Sequence, residues 1–239
     1  MGKGTSLKRD LPEVYQLRIR LLQISPMIWR CLLVRSDASI ADLHHIIQIA
    51  MGWENYHLHQ FTIHGGLYGI SYEGGVCFES NPKRIQLKDF KFRVNDRFLY
   101  EYDFTSNWEH EIRIEKILAL DVKKTYPLCI DGKRAAPPED CGSPWRFMEL
   151  SEHYSPWYVG SRIVRLVKKL CEEKDPDKDQ DEDDFDVDND YEPYDNIEDA
   201  LDNLNYWINQ DKCDRRQINK WLREYSKHGN YYEIDFEKT

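Results

Sequence analysis

The segment SIADLHHIIQIAMGWENYHLHQFTI, residues 39–63, carries the clearest structural pattern in the chain. Ser39 can accept a hydrogen bond from the first turn of a helix, and Asp42 follows three residues later as the acidic partner of a capping box. Apolar residues then recur on one helical face, and Gly52 supplies a stop signal. After it, HLHQFTI alternates as a half-buried strand does. The segment therefore predicts a helix followed by a strand.

The residues before this segment predict two further strands. VYQLRIRLLQI, residues 14–24, alternates apolar and polar side chains, and MIWRCLLV, residues 27–34, follows a turn at Ser25-Pro26. Two strands joined by a short turn form a hairpin. The order strand, strand, helix, strand predicts an α+β fold. We expect a mostly antiparallel sheet with a β-grasp-like β-β-α-β start and closing C-terminal helices.

The residues after it predict the rest of the sheet and the closing helices. Two strands are expected around a turn at residues 105–107, and the stretch 126–148, rich in Pro and Gly, is expected to be a structured loop. The predicted strands are residues 92–104 and 108–120, and the predicted helices are residues 161–170, 196–209 and 215–227.

Charge is distributed unevenly along the chain. Residues 172–199 contain 16 acidic residues and 2 lysines, a net charge of -14, whereas the whole chain carries -10. The remainder is therefore mildly basic, at +4, and this value alone does not require a nucleic-acid partner. An acidic stretch with few apolar residues cannot bury enough surface to offset its chain entropy. We expect disorder over residues 172–195.

These patterns divide the chain into four parts. We expect a flexible N-terminus over residues 1–12, an α+β domain over 13–171, the acidic segment over 172–195, and C-terminal helices that pack on the domain over 196–230.

Cysteine usage and hydropathy favour a cytoplasmic location. The six cysteines are scattered and form no CxxC pair, which is typical of reduced thiols. The first fifteen residues show no apolar core of a secretory leader, and no apolar run reaches membrane-spanning length. We therefore expect a cytoplasmic protein without a membrane partner.

The histidines of the opening segment allow two interpretations. His57 and His59 share one face of the predicted strand, and such a pair can bind a metal if a third ligand such as His44, His110 or a carboxylate joins it. The alternative, which we favour, is that His44 and His59 lie at the boundary of the core and bond backbone carbonyls. We predict neither a metal nor a cofactor.

Two other motifs place polar groups in informative surroundings. Trp108 and His110 lie in an apolar row, where a histidine is usually a satisfied core residue and otherwise a general base. In APPEDCG, Pro138 fixes an extended backbone before Glu139 and Asp140. Adjacent carboxylates do not face each other, so they make a poor catalytic pair. We expect this rigid loop either to contact a partner or to be capped by Asp140 through backbone amides or an arginine.

Basic residues occur on two of the predicted helices. They could contact phosphates, pair with the acidic segment, or form solvated faces. They are Arg162, Arg165, Lys168 and Lys169 on one helix and Arg215, Arg216, Lys220, Arg223 and Lys227 on the other.

Three blocks of the sequence resemble a single protein family. ISPMIWR with LHHIIQIAMGWENYHLHQF, then YEYDFTSNWEHEI, then YPLCIDGKRAAPPEDCG occur in the family's order between residues 14 and about 150. They resemble the plasmid pRiA4b ORF-3-like family, whose members are also described as passenger proteins of insertion elements. CDRRQINKWL resembles the family's C-terminal ending more weakly. The resemblance implies an α+β domain with no established molecular activity.

The chain departs from the family's pattern at several positions. Thr105-Ser106 stands where the family usually has Gly-Asp, and Ala136 stands where it often has cysteine. The missing thiolate argues against a zinc site built on Cys129 and Cys141.

Together these features predict a non-enzymatic binding or accessory module with an unknown protein or small molecule as its partner. Two alternatives stay open: a nucleic-acid-associated accessory protein of a plasmid or transposon, and a metal-dependent hydrolase using His57, His59 and His110. The candidate binding residues are His44, His57, His59, Tyr102, Asp103, Trp108, His110, Pro138, Glu139 and Asp140.

Overall fold

The computed structural model of the chain describes residues 12–71, 77–78, 80–172 and 197–234. The predicted acidic segment lies outside these ranges from residue 173 onward, and so do residues 1–11 of the predicted N-terminus. The chain falls into two compact units. One runs to Phe147 and resumes at Lys212, and the other spans Met148–Asp211.

The first unit is built on a seven-stranded sheet in which every strand pair is antiparallel. The strands are β1 (Val14–Leu21), β2 (Trp29–Arg35), β3 (His59–Ile63), β4 (Gly66–Tyr68), β5 (Arg97–Tyr102), β6 (Trp108–Leu118) and β7 (Leu128–Lys133). Their order across the sheet is β4-β3-β5-β6-β1-β2-β7. The predicted α+β class and antiparallel sheet are confirmed. β3 pairs with β5, and β5 and β6 separate it from the β1–β2 hairpin.

Helix α1 (Ile40–Met51) lies between β2 and β3 in sequence, which confirms the predicted β-β-α-β start. The Asp42 amide donates to Ser39 Oγ over 3.0 Å, and the Ser39 amide donates to Asp42 Oδ2 over 2.8 Å. Gly52 ends the helix with a φ of 75°, a left-handed conformation that glycine adopts without steric cost. The sequence-based capping box is therefore present.

Helix α5 (Arg215–His228) covers the side of α1 that the sheet does not cover. The Tyr225 hydroxyl donates to Asp42 Oδ1 over 2.8 Å, and the Tyr225 ring lies edge-on to His45. At the other end of the unit, the side-chain amide of Asn219 bonds both backbone groups of Cys129 in β7, each over 2.8 Å. α5 is thus fixed to α1 and to the sheet by specific polar contacts.

The two faces of the sheet differ in chemistry. On β6, Trp108, Ile112 and Ile114 are buried on the α1 side, as the alternating sequence predicts. The opposite face carries ion pairs, and Glu111 accepts from both Arg20 and Arg97 over 3.0 Å. Such partly exposed pairs contribute little to stability individually, so the core side holds the fold together.

Two parts of the structure differ from the sequence-based prediction. The predicted loop at residues 126–148 contains β7, whose short alternating run is stabilised by pairing with β2, and the beginning of helix α2 (Pro144–His153). The predicted strand from residue 92 begins only at Arg97, because Asn95 has a φ of 75° and turns the chain. In both cases contacts remote in sequence or a turn residue outweigh the local apolar pattern.

The second unit contains the end of α2 together with α3 (Pro156–Glu172) and α4 (Ile197–Asn209). The rings of Tyr154 and Trp207 stack with 4.7 Å between centroids and join the start of this unit to α4. α3 begins at Pro156, five residues before the helix that the apolar pattern predicts over residues 161–170.

Candidate functional site

Three of the predicted histidines lie in the core of the first unit. His44 comes from α1, His59 from β3 and His110 from β6, and all three are buried. The rings of His44 and His59 stack with 3.5 Å between centroids and 8° between planes. We call these three residues the buried histidine layer.

The prediction that His44 and His59 lie at the boundary of the core and bond backbone carbonyls was wrong. The apolar stripe predicted one buried face for α1. In the structure the sheet and α5 both pack against the helix, on two of its sides. His44 bonds side chains instead, and His59 Nε2 accepts from the Ile70 amide over 3.4 Å.

A chain of hydrogen bonds fixes the tautomer of His44. Gln48 Nε2 donates to the Tyr100 hydroxyl over 2.8 Å, and that hydroxyl lies 2.9 Å from His44 Nδ1. His44 Nε2 lies 2.7 Å from Asn55 Oδ1, which can only accept, so Nε2 carries the proton. Nδ1 then accepts from the Tyr100 hydroxyl. Both ring nitrogens of His44 are occupied, and neither offers a lone pair to a metal.

Burial keeps the layer neutral. Desolvation, followed by the neighbouring His59 and His45, lowers the pKa of His44 well below its usual value. Burial lowers the pKa of His59 to about 3. It also lowers the pKa of His110 to about 4, although a 3.1 Å bond to the Trp108 carbonyl opposes this shift. Uncharged imidazoles of this kind can be enclosed in a core without the cost of burying a charge.

Glu139 ties the P-P-E-D loop to the loop that follows α1. Its carboxylate accepts from the backbone amides of Glu54 and Tyr56 and from the hydroxyl of Tyr102. Burial, followed by the bond to Glu139, raises the pKa of Tyr102 above its usual value, so this phenol stays a donor. The capping role that we expected of Asp140 therefore belongs to Glu139, and the two adjacent carboxylates point to different partners.

His57 lies at the surface between two carboxylates. Its Nε2 is 3.3 Å from Asp140 Oδ1 and its Nδ1 is 3.8 Å from Asp103 Oδ1. The His57 side chain is 33% exposed and that of Asp140 is 80% exposed. The ring is therefore accessible to a partner and has an acceptor on each side.

Asp103 is the buried member of this group. It has a φ of 54°, and its carboxylate accepts from the Thr105 amide over 3.0 Å. Burial opposes ionisation, but hydrogen bonds from Ser106 and Thr105 and the nearby His57 hold the pKa of Asp103 below its usual value. A carboxylate bonded in this way stays charged at neutral pH.

Exposed tyrosines flank the same surface. Tyr56 and Tyr232 are each 71% exposed. The Tyr56 hydroxyl donates to the Glu54 carboxylate, and Asn55 Nδ2 donates to the Tyr232 hydroxyl over 3.3 Å. We call the surface formed by Glu54, Tyr56, His57, Asp103 and Asp140 the His57 rim.

The structure divides the predicted residues into two groups. His44, His59, Trp108 and His110 are buried, whereas His57, Asp103, Pro138 and Asp140 belong to or border the rim, and Tyr102 and Glu139 join the two groups. The prediction missed Glu54, Tyr56 and Tyr232 on the surface and Gln48, Asn55 and Tyr100 in the core. The Y-E-Y alternation in β5 was a usable signal for Tyr100, but no local pattern indicated Tyr232, which approaches from the C-terminal end.

Among the described residues, the geometry provides no ligand set for the metal site that the hydrolase alternative requires. Within the described ranges, no group of three or more His, Cys, Asp or Glu side chains is arranged to hold a metal ion. His57 lies on the surface while His59 and His110 lie in the buried layer. Burial also raises the pKa values of Cys129 and Cys141 to about 12, which disfavours the thiolate form that zinc requires.

Comparison with known proteins places the chain among similar sequences. The sequence profile of the plasmid pRiA4b ORF-3-like protein family matches residues 13–189. The chain is 31% identical over 141 residues to the uncharacterized protein y4hQ of Sinorhizobium fredii, covering 59% of this chain and 72% of that protein. It is also similar to the crystal structure of a protein of unknown function, MM3350, from Methanosarcina mazei Go1. That match has a TM-score of 0.54 and 35% identity, and it covers 71% of this chain and 92% of the other.

Among the helices of the described residues, none is both long and apolar enough to cross a membrane.

Proposed function

The chain belongs to the plasmid pRiA4b ORF-3-like family, and we propose that it is a non-enzymatic binding module. The His57 rim is its contact surface, and a cationic group of a protein or small molecule is what this surface recognises. We further propose a cytoplasmic location and an accessory role in a mobile element. The observation that carries the binding proposal is the placement of accessible His57 between Asp103 and Asp140.

The charge of the rim determines the class of partner. Four carboxylates lie in or directly beneath it, those of Glu54, Asp103, Glu139 and Asp140. A guanidinium or ammonium group offers several donors to such acceptors, and arginine can bond a carboxylate through two parallel hydrogen bonds. The exposed ring of Tyr56 adds a face on which a cation can rest.

The rim is organised before any partner arrives. Glu139 fixes the amides of the loop after α1, and Trp53 Nε1 donates to the Pro137 carbonyl over 2.8 Å. The Tyr231 hydroxyl donates to the Trp53 carbonyl from the C-terminal end of the chain. Loops held in this way lose little conformational freedom on binding, which favours affinity.

Titration with a short peptide tests the proposal. We would add a peptide with one arginine between small neutral residues to the full chain and follow the ring signals of His57 and Tyr56 by NMR. We expect a saturable shift of the signals of both residues. Asp140→Asn should raise the dissociation constant of the peptide at least about 5-fold, because a charge-assisted bond is lost.

Two controls make the outcome specific. The same peptide with citrulline in place of arginine keeps the shape but not the charge, and it should leave the His57 signals unchanged. Asp121→Asn removes an exposed carboxylate elsewhere and should leave the affinity for the arginine peptide unchanged. Equal binding by the native chain and Asp140→Asn, or no shift at His57, would refute the proposal.

A further inference from the structure

A second surface of the first unit has the opposite charge. An open groove of about 820 Å³ lies between α5 and β7. Its wall residues include Cys129, Lys212, Arg215, Arg216, Asn219 and Arg223. We call it the α5 groove, and none of the residues that form the His57 rim lines it.

The floor of the α5 groove is fixed by hydrogen bonds. Asn219 bonds the amide and the carbonyl of Cys129, each over 2.8 Å. Arg215 Nη1 donates to the Ile130 carbonyl over 2.7 Å, so this guanidinium is anchored by a neutral group. A cation held against a carbonyl keeps its full charge for a ligand.

The charges around the groove are predominantly positive. Lys212, Arg215, Arg216 and Arg223 line it together with one acid, Asp214, which gives a formal net charge of +3. The Asp214 carboxylate accepts from the amides of Arg216 and Gln217 and caps α5. Of the acids nearby, Asp131 accepts from the Gly132 amide, and Glu224 pairs with Lys227 and His228. The chain as a whole carries -10, so this positive surface is a local departure.

The spacing of the arginines suits a ligand with more than one phosphate. Arg216 and Arg223 are both exposed and stand seven residues apart on α5. At about 1.5 Å per residue this is roughly 10 Å along the helix axis, so the two side chains can contact different phosphates of one strand. A nucleic-acid strand repeats its phosphates at a spacing of about 3.4 Å along its axis and can bridge them.

The residues that line the groove are charged or small polar groups, and no aromatic side chain is among them. Bases are recognised by stacking on aromatic rings or by bonds to their edges, whereas cationic side chains alone contact the backbone. We propose that the α5 groove binds the sugar-phosphate backbone of a nucleic acid without sequence preference. This proposal is independent of the His57 rim.

Fluorescence anisotropy with the full chain tests this inference. The probe is a labelled strand of about 20 nucleotides of mixed sequence at low salt, long enough to exceed a typical binding site. We expect saturable binding that weakens steeply as salt rises. Arg216→Ala with Arg223→Ala should raise the dissociation constant at least about 10-fold and reduce the salt dependence by about two phosphate contacts.

Matched controls separate this site from general charge. Arg84→Ala with Arg93→Ala removes two exposed arginines outside the groove and should change the dissociation constant less than about 2-fold. Asp140→Asn in the His57 rim should also leave strand binding unchanged. Failure of the full chain to bind at low salt, or equal binding by the groove variant, overturns the proposal. Inorganic pyrophosphate that displaces the strand at micromolar concentration would indicate a small phosphate ligand and would also overturn it.

Discussion

His44 is enclosed between α1 and the sheet with both ring nitrogens bonded, whereas His57, thirteen residues later, lies at the surface beside two carboxylates. The chain between them contains the end of α1 and a loop fixed by Glu139. The difference shows that the density of histidines in a stretch of sequence does not define a site. What covers each ring decides whether it packs or binds, and the covering groups come from elsewhere in the chain.

The largest contrast should appear in stability. His44→Ala removes the acceptor for the Tyr100 hydroxyl, the donor to Asn55 Oδ1 and a ring stacked on His59. We expect the free energy of unfolding to fall by about 3 kcal/mol. His57→Ala at the surface should cost less than about 0.5 kcal/mol. Urea denaturation of both variants measures the difference, and similar losses would show that the two rings do not differ as described.

Acid should destabilise the protein through its buried rings. The unfolded chain protonates its histidines below a pKa of about 6.5, while burial keeps the native pKa of His110 near about 4 and that of His59 near about 3. Between these values the unfolded state binds more protons, so stability falls as pH falls from about 6.5 towards 4. Each such group contributes up to about 1.4 kcal/mol per pH unit.

Unfolding free energies measured from pH 7 to 4 test this dependence. In His59→Ala the free energy of unfolding should depend less steeply on pH, by the equivalent of about one proton, whatever the variant's stability at pH 7. An unchanged slope would mean that His59 is protonated in the native state.

The two adjacent carboxylates of the P-P-E-D loop should differ as the histidines do. Glu139→Gln weakens acceptance from two amides and a buried phenol, and we expect a loss of about 1–2 kcal/mol in the free energy of unfolding. Asp140→Asn should cost less than about 0.5 kcal/mol, because its partner is a surface histidine. Thermal unfolding of the two variants side by side measures this difference. A larger loss of stability for Asp140→Asn would show that Asp140, and not Glu139, holds the loop after α1.

The smallest expected effect is that of a chelator. Since both nitrogens of His44 are bonded and His57 stands apart from the buried rings, we expect purified protein to contain far less than one equivalent of zinc, iron or manganese. Chelator should leave the unfolding temperature unchanged. Stoichiometric metal by elemental analysis, lost in both His57→Ala and His59→Ala, would restore the hydrolase interpretation.

Local pattern was sufficient for the elements whose signals are contained in a few residues. Ser39, Asp42 and Gly52 lie within a single helix and its caps, so the bounds of α1 could be predicted. The alternation of β6 likewise predicted which of its side chains are buried, because a strand has only two faces. β7 could not be found in this way, since its six residues depend on pairing with β2 for their stability.

The candidate site was less accessible to such reasoning. The partner of His44 in β5 is 56 residues away, and the phenol that approaches Asn55 is 177 residues away. Glu139 and Asp140 were both singled out, but the capping role was assigned to Asp140 instead of Glu139, because neighbouring residues of an extended loop point in different directions. Only the packed structure shows which of the two faces the loop after α1.

The pair of bonds between Asn219 and Cys129 has a consequence for the protein in concentrated solution. The outermost strand of a sheet normally presents free backbone groups to which a second molecule can add a strand, and this is a route to fibres. On the β7 flank a side-chain amide from α5 already occupies that place at Cys129. The opposite flank is β4, which has only three residues to offer. Asn219 thus covers part of the edge of β7, a task that other sheets give to lysines, prolines or bulges.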